Sequence, residues 1–402
     1  MPARERLYSD LARRPASPAL AELFKLTERP DVISFAGGFP SPDMFLPEEA
    51  RAITRRLLAE EPAAVLGYSP TPGFSEFREF LAARQSRQGM AATGDEILVT
   101  SGALQGLDLL CRVFLDRGDR VVVESPTYLG ALTTLGAFRV ELTPVPLDEN
   151  GLDTARLAEH LEAWQRSGRL PKLLYTVPTF QNPSGLTLSI QRRRHLLELA
   201  EAYGFTILED NAYGELRFDG DTVPTLKALD RQGVVVYLGT LSKVLSPGIR
   251  IGWIHAEHEI IERAILLRQG MDQCSNSLGQ LLALEFGRRG LIERQIRKTG
   301  RLLAAKAGLT LDLLAREFPA GTAWTKPEGG FYTWVTLPGD IDTALALTRC
   351  IEEARVAYVA GSAFYAGGGG HNQFRLCYSQ PSLEEIRRGV PRLAQTLAGL
   401  QR

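Results

Sequence analysis

The sequence is poor in cysteine, and the cysteines that it has are scattered. Its 402 residues include four of them, and no two form a Cys-x-x-Cys pair: Cys111, Cys274, Cys350 and Cys377. Isolated cysteines argue against a disulfide framework and against a cysteine-based zinc site, and they are typical of proteins that stay in a reducing compartment. We therefore expect no structural metal and a cytoplasmic location.

Long apolar runs and net charge are lacking as well. No stretch is long enough to cross a membrane, and the first residues, MPARERLYSDLARRP, lack the apolar core of a signal peptide. The formal net charge is −1, with 46 basic against 47 acidic residues. A balanced charge does not attract polyanions or anionic surfaces. We expect neither nucleic acid nor a membrane as a partner.

What the sequence does contain is a regular alternation of β-rich and helical segments after residue 95. The apolar, β-rich runs cover 96–100, 120–125, 172–177, 205–210 and 234–239. Such alternation is typical of βαβ units, so the predicted fold class is α/β with a largely parallel, helix-covered sheet. Because ligands of these sheets bind beyond the carboxyl ends of the strands, the residues after each run are candidates for one site.

The first four strand ends each carry residues suited to binding a ligand. Gly102 and Ala103 open a helix, whose free N–H groups suit an anion. Tyr128 could stack on a flat ring, although a lone tyrosine is more often simply packed. Asn182 could donate a hydrogen bond or serve only as a turn residue. Asp210 ends an apolar strand, where a buried carboxylate needs a cationic partner.

The fifth strand end is the most informative, because the segment 234–253 empties into Thr240, Ser242, Lys243 and Arg250. Hydroxyls beside an arginine suit a phosphate. A lysine that loses its proton in a dry pocket can form a Schiff base with an aldehyde. Phosphate and aldehyde occur together in pyridoxal 5′-phosphate (PLP). Alone, the segment could equally be a solvated surface turn, but five matching strand ends favour the PLP site.

The remainder of the chain predicts a second, smaller α+β unit. Long helical segments fill about 256–318, and strands and loops follow, including the apolar strand FRLCYS around Arg375. An arginine at such a position either reaches solvent at a strand edge or binds the α-carboxylate of a substrate. We predict a large domain over 47–299 and a small domain formed by 1–46 and 300–402.

Together these motifs resemble those of the PLP-dependent aminotransferases of fold type I (class I/II), in particular the branch of the 2-aminoadipate and kynurenine aminotransferases. The resemblance extends from SFAGGFP at residue 34 to FRLCYS, and includes GYSPTPG, SGALQGLD, ESPTY, QNPSG, EDNAYGEL and GTLSKVLSPGIRIGW. It implies a large domain with a mostly parallel, seven-stranded sheet covered by helices, a small α+β domain, and a homodimer with shared active sites.

The resemblance also implies a role for each matching residue. Lys243 would carry PLP as a Schiff base and act with Asp210 and Tyr213 as a catalytic residue. Asp210 would keep the ring nitrogen protonated, Asn182 and Tyr213 would bind the ring oxygen, and Tyr128 would stack on the ring. The phosphate would be bound by Gly102, Ala103, Leu104, Thr240, Ser242, Arg250 and, from the partner subunit, Tyr68. The substrate α-carboxylate would be bound by Gly38, Asn182 and Arg375.

Two departures from the family pattern concern the phosphate turn and the substrate. The turn usually reads GSQQ and is GALQ here at 102–105, which should not prevent PLP binding because backbone N–H groups do much of the work. Relatives that favour 2-aminoadipate carry an arginine where this chain has Ala21. Without that cation a second carboxylate loses its partner, which favours aromatic or aliphatic donors, although Arg13, Arg14 or Lys25 could compensate.

The predicted function is transfer of the α-amino group of an amino acid (aromatic, aliphatic or 2-aminoadipate-like) to a 2-oxo acid, with 2-oxoglutarate as the expected acceptor. One alternative keeps PLP but breaks another bond, as in a lyase or decarboxylase. Arg375 favours substrates that keep their carboxylate. A second alternative is the effector domain of a PLP-binding transcriptional regulator, but only about thirty residues precede SFAGG and no DNA-binding module fits there.

Overall fold

The computed structural model describes residues 4–13, 29–339 and 341–400. The sequence positions Arg14, Ala21 and Lys25, which bear on substrate choice, lie outside the described residues. The strands within the described residues are β1 (Ile33–Ser34), β2 (Ile97–Thr100), β3 (Arg120–Ser125), β4 (Glu141–Asp148), β5 (Gly151–Leu152), β6 (Leu173–Thr176), β7 (Thr206–Asp210), β8 (Val235–Thr240), β9 (Gly252–His255), β10 (Ala323–Trp324), β11 (Tyr332–Thr336), β12 (Val356–Ala357), β13 (Val359–Ala360) and β14 (Gln373–Cys377).

The α-helices occupy most of the chain between these strands. They are α1 (Asp10–Arg13), α2 (Pro47–Glu60), α3 (Pro62–Leu66), α4 (Ser75–Ser86), α5 (Ala103–Phe114), α6 (Leu129–Ala137), α7 (Thr154–Arg166), α8 (Ile190–Tyr203), α9 (Leu226–Leu229), α10 (His258–Gln269), α11 (Ser277–Arg288), α12 (Leu291–Glu317), α13 (Thr343–Arg349) and α14 (Leu383–Ala398).

The larger sheet has the strand order β2-β9-β8-β7-β6-β3-β4-β5. Strands β8, β7, β6, β3 and β4 are parallel, whereas β9 is antiparallel to β2 and β8, and β5 is antiparallel to β4. The mostly parallel, helix-covered sheet agrees with the predicted fold class. Seven strands were expected, and the additional one is the two-residue β5, which forms a short hairpin with β4 at the sheet edge.

Strand β3 shows why the sheet is buried on both faces. Its apolar residues alternate between two clusters: Val121 and Val123 pack in the cluster that contains α5, and Val122 packs in the one that contains α7 and α8. Successive side chains of a strand point to opposite faces, so an unbroken Val run needs apolar cover on both sides. The parallel strands therefore end at one common edge, where their polar residues meet.

A second, antiparallel sheet has the order β10-β11-β14-β13. It packs with α12 and α14 around its own apolar cluster, which also includes Ile33 and Phe35 from the N-terminal part of the described chain. The predicted domain boundary at residues 299 and 300 falls inside the 27-residue helix α12. The division into two domains at that point stays a prediction.

Membrane-spanning helices and metal-binding clusters are both absent from the described residues. No helix in this part of the chain is both long and apolar enough to span a bilayer. Nor does this part bring three or more His, Cys, Asp or Glu side chains together in a way that could hold a metal ion.

Candidate active site

A cavity of about 360 Å³ opens at the carboxyl ends of the parallel strands. It brings together every predicted site residue except Tyr68. The residues that line it are Gly38, Phe39, Gly102, Ala103, Leu104, Tyr128, Val177, Asn182, Asp210, Ala212, Tyr213, Thr240, Ser242, Lys243, Pro247, Arg250, Tyr332 and Arg375.

One end of the cavity is polar and cationic. Helix α5 begins at Ala103, and the preceding Gly102 has a φ of 94°, a conformation that favours glycine. A Cβ at Gly102 would overlap the Arg250 guanidinium, whose Nη2 donates to the Ser101 carbonyl at 2.7 Å. A helix N-terminus beside an arginine suits a phosphate group.

The two hydroxyls expected at this end lie next to each other. Thr240 Oγ1 donates to Ser242 Oγ at 3.0 Å, and both side chains are buried at the cavity wall. Each hydroxyl can donate to an anion when one is present. The backbone N–H of Ser242 also donates to Thr240 Oγ1 at 3.1 Å, which holds the turn that leads to Lys243.

Lys243 lies in the middle of the cavity and is half-buried. Its Nζ donates to the carbonyl of Gly38 at 2.8 Å. The pKa of this amine is lowered to about 8, chiefly by burial and also by the positive charges of Arg375 and Arg250, while Cys377 and Asp210 oppose the shift. An appreciable share of the amine is therefore neutral near pH 7–8, and a neutral amine is a nucleophile and a base.

Asp210 is a buried carboxylate with one oxygen unpartnered. Its Oδ2 accepts a hydrogen bond from the Tyr175 hydroxyl at 2.7 Å, whereas Oδ1 is buried and has no hydrogen-bond partner among the described residues. Burial raises the pKa of Asp210 to about 6, although the Tyr175 hydrogen bond opposes this. A buried, unsatisfied carboxylate oxygen at a cavity wall calls for a cationic N–H donor, which fits a protonated pyridine ring.

Arg375 lies at the opposite side of the cavity and is 4 % exposed. Its Nη1 donates to Asn182 Oδ1 at 2.7 Å and its Nη2 to the Ala36 carbonyl at 2.6 Å, while Nε is buried without a partner in the described part of the chain. The guanidinium lies 4.3 Å from the ring centroid of Tyr332. Arg375 forms no ion pair with a described acidic residue, so a substrate carboxylate would supply its missing charge partner.

Tyr332 is a cavity residue that was not singled out in the sequence. Its hydroxyl is 2.8 Å from that of Tyr213, and a Cβ at Gly38 would overlap it. Gly38 is therefore glycine for a packing reason. The signal lay in the apolar strand β11, whose pairing with β14 places Tyr332 opposite Cys377, two residues from Arg375. Other wall residues that had not been singled out are Phe39, Val177, Ala212 and Pro247.

Tyr68 is 87 % exposed and does not line the cavity of its own chain. Its loop is nevertheless held in place, because Ser277 Oγ donates to the Gly67 carbonyl at 2.7 Å and Ser69 Oγ donates to the Ser275 carbonyl at 3.2 Å. Its contribution to a partner's cavity stays a prediction.

The comparisons with known proteins identify the family of the chain. The family described as aminotransferase class I and II matches residues 30–393. Aromatic-amino-acid aminotransferase 1 of Thermococcus litoralis is 42 % identical, over 98 % of this chain and 94 % of the relative. The fold is shared with kynurenine aminotransferase of Pyrococcus horikoshii (TM-score 0.96, 40 % identity, 100 % and 99 % of the two chains).

A third relative concerns the cofactor. LysN, the α-aminoadipate aminotransferase of Thermus thermophilus, was solved with N-(5′-phosphopyridoxyl)-L-leucine, and it has a TM-score of 0.92 and 35 % identity over 99 % of both chains. The family match covers most of the sequence, and the relatives are matched over nearly their whole length. The chain therefore belongs to the class I and II aminotransferases, and it is a PLP-dependent aminotransferase.

Proposed function

We propose that this aminotransferase takes the α-amino group of aromatic or aliphatic amino acids, passes it to 2-oxoglutarate, and uses the cavity around Lys243 for both half-reactions. The observation that carries the proposal is the grouping of three unsatisfied or activated groups in one cavity. They are the Lys243 amine with a pKa near 8, the Asp210 Oδ1 with no hydrogen-bond partner among the described residues, and the Arg375 guanidinium, which forms no ion pair with a described acidic residue.

The cavity residues fit PLP, and each would hold a different part of it. The N-terminus of α5, Arg250 and the hydroxyls of Thr240 and Ser242 would hold the phosphate, with Ala103 and Leu104 adding N–H groups. Asp210 Oδ1 would accept the ring N–H. When bound, PLP supplies an aldehyde carbon that bonds amines and a protonated ring that takes up the electron pair left on Cα.

Lys243 would move the proton during the reaction. Its Nζ would take up the Cα proton of the substrate, because a pKa of about 8 leaves the amine partly neutral. The same Nζ would hold that proton as an ammonium group and release it again within the site. Asp210, Asn182 and Tyr213 would hold the ring of the cofactor in place and fix its orientation.

Arg375 would orient the substrate by binding its α-carboxylate. Its fork of donors suits the α-carboxylate that every amino acid carries, and a substrate held by that carboxylate keeps it, which argues against decarboxylation. The other cations of the described cavity wall are Lys243 and Arg250, which the cofactor would use. Apart from glutamate, the product that 2-oxoglutarate would give, a donor with a neutral side chain beside Phe39 and Val177 is therefore favoured over an acidic one.

We also infer that two copies of the chain form a dimer. Tyr68 protrudes from a hydrogen-bonded loop, and other large apolar side chains are exposed as well: Leu66, Leu104, Leu267 and Met271. Exposed apolar side chains mark protein interfaces where they form one contiguous patch. A partner's Tyr68 entering the cavity near Arg250 would complete the phosphate site.

The test is a panel of amino acids with the purified, PLP-loaded protein. Phenylalanine, tyrosine, kynurenine, leucine, glutamate and 2-aminoadipate are offered singly, and loss of the visible PLP band is followed before and after 2-oxoglutarate, pyruvate or phenylpyruvate is added. We expect bleaching by the neutral donors and by glutamate, which is the product of the 2-oxoglutarate half-reaction run in reverse, but little by 2-aminoadipate, and recovery with 2-oxoglutarate. Release of carbon dioxide in place of a 2-oxo acid, or bleaching by acidic donors alone, would contradict the proposal.

A further inference from the structure

Glu124 is a buried carboxylate that the proposed mechanism does not use. It lies near the end of β3, is 3 % exposed, and directly precedes the loop that leads to Tyr128. Burial raises its pKa to about 7, while hydrogen bonds from its neighbours lower it. A carboxylate at this depth is costly unless its hydrogen bonds do something for the fold or for the site.

The partners of Glu124 come from the end of a neighbouring strand and from the loop after it. Thr176 Oγ1 donates to Oε1 at 2.5 Å, and the Val177 N–H donates to both oxygens at 3.3 and 3.2 Å. Gln181 Nε2 donates to Oε2 at 2.9 Å and also to the Pro126 carbonyl at 2.8 Å. The carboxylate thus joins the loop after β3 to the loop after β6.

Gln181, which directly precedes Asn182, has a hydrogen-bond partner at every polar atom. The Gln181 Oε1 accepts from the Ser184 N–H at 2.8 Å, the Gln181 N–H donates to the Leu186 carbonyl, and the Gln181 carbonyl accepts from the Gly185 N–H. Asn182 in turn accepts from Arg375 Nη1, which leaves its amide nitrogen as the donor for a ligand. A displacement of Gln181 would therefore move Asn182 in the cavity.

Glu209 provides a comparison at the same depth, because it is 0 % exposed on strand β7, which β6 separates from β3. Its oxygens accept from the N–H groups of Leu226 and Lys227 at 2.9 and 2.8 Å, and Arg193 is 3.8 Å away. These hydrogen-bond donors stand at the start of helix α9, and none lines the cavity. Arg193 also donates to the Pro178 carbonyl and to Thr179 Oγ1 in the loop after β6. Glu209 therefore stabilises the fold, and it acts on a loop of the site only through this ion pair and not by its own hydrogen bonds.

We infer that Glu124 is a positioning residue that acts through Gln181. By fixing the Gln181 amide, which also donates to the Pro126 carbonyl, it would hold both Asn182 and Tyr128 against the cofactor ring. The inference rests on the proposed roles of Asn182 and Tyr128. The link between the two loops itself is seen in the structure. The Glu124 carboxylate accepts from Gln181 in the loop after β6, and the same Gln181 amide donates to the Pro126 carbonyl in the loop after β3.

The test variant is Glu124→Gln, which keeps the side-chain volume but turns one acceptor into a donor. That amide would face the N–H₂ of Gln181 or the donors at Thr176 and Val177, so the amide–carboxylate contact is lost. Glu209→Gln is the matched control, because it removes a carboxylate of equal burial. Thr176→Val, which deletes one donor at constant volume, serves if Glu124→Gln does not fold.

The test has two readouts other than turnover. The first is the dissociation constant of PLP, measured by adding PLP to the cofactor-free protein. The second is the midpoint pH at which the visible absorption band of bound PLP shifts in wavelength. The proton on the Lys243 nitrogen would be stabilised by a hydrogen bond to the ring oxygen of PLP. The Asn182 amide would donate to the same oxygen and so weaken that hydrogen bond. Displacing Asn182 should therefore raise the midpoint pH. The charged and titratable groups around that nitrogen, which none of the three variants changes, are Asp210, Arg250, Arg375 and Cys377.

We expect Glu124→Gln to weaken PLP binding about tenfold and to raise the midpoint by about half a pH unit to one unit, as for the loss of one hydrogen bond to a charged group. Thr176→Val should shift the midpoint in the same direction by less. Glu209→Gln should lower the unfolding temperature and leave the midpoint unchanged. An unchanged midpoint in both test variants, or an equal shift in Glu209→Gln, would overturn the inference. If the unaltered protein gives no visible band with PLP, the proposed function itself fails.

Discussion

Replacing Asp210 by asparagine should stabilise the protein when PLP is absent and disable it when PLP is present. The carboxylate is buried, and its Oδ1 has no partner among the described residues. The amide keeps the size of the side chain, and its oxygen can still accept from the Tyr175 hydroxyl. The variant removes a buried charge that only a bound cation would compensate.

The magnitude follows from the pKa of Asp210, which burial raises from 3.8 to about 6. Each pH unit of difference corresponds to about 1.4 kcal/mol, so ionising Asp210 lowers the stability of the PLP-free protein by about 3 kcal/mol above pH 6. An unpartnered amide N–H in the same place costs about 1–2 kcal/mol. The net gain of Asp210→Asn near pH 7.5 is then about 1–2 kcal/mol.

The sign of the effect depends on pH. Below the pKa of the unfolded chain, near 3.8, the carboxyl is protonated in both states and its burial costs nothing extra. As the pH rises towards 6, the unfolded chain loses its proton first, so the folded protein loses stability, and above 6 the loss is constant. The advantage of Asp210→Asn should therefore be present at pH 7.5 and be absent at pH 4.

The assay is thermal unfolding of the PLP-free proteins at the two pH values. For a chain of this length, 1–2 kcal/mol corresponds to a rise of about 1–2 °C in Tm. Asp221→Asn, at an exposed carboxylate, is the control and should change little at either pH. With PLP bound, Asp210→Asn should lose most of its turnover. A lower Tm than the unaltered protein at pH 7.5, or a gain independent of pH, would refute the reasoning.

Two further predictions concern substrate and partner. Arg375→Ala should raise KM at least about tenfold for every amino acid alike, because the α-carboxylate is common to all of them. Arg375→Lys should restore only part of the loss, since lysine lacks the paired donors of the guanidinium. Steady-state kinetics with three unrelated donors checks this, and an effect confined to one donor would contradict it. Mixing Tyr68→Ala with Lys243→Ala chains under refolding should restore activity, because a mixed dimer has one site with both residues intact; a mixture no more active than its components would show that Tyr68 does not act across subunits.

Much of the fold followed from buried apolar runs. The predicted strands at 96–100, 120–125 and 205–210 agree with β2, β3 and β7 to within one residue, because Val, Ile and Leu runs need cover on both faces. Three strands of the large sheet were not singled out. Strand β4 contains Pro144 and Pro146, which are unusual within a strand, and β5 and β9 have only two and four residues.

The site was predictable to the extent that parallel topology forces it. Strand ends that lie far apart in the sequence meet at one edge, so Asn182, Asp210 and Lys243 could be grouped without coordinates. Tyr332 could not, because it enters from the second sheet. Glu124 was missed although it ends an apolar strand as Asp210 does, and the same argument about buried acids would have found it.

Lys243 is central to the proposed chemistry, because it is the residue that would carry the cofactor. The direct measurement is mass spectrometry of the PLP-loaded protein after borohydride reduction and proteolysis, with turnover of Lys243→Ala measured alongside. We predict one phosphopyridoxyl group on the peptide that contains Lys243, and nearly no turnover in the variant, which should still bind PLP reversibly. An adduct on another lysine, or substantial turnover in Lys243→Ala, would contradict it.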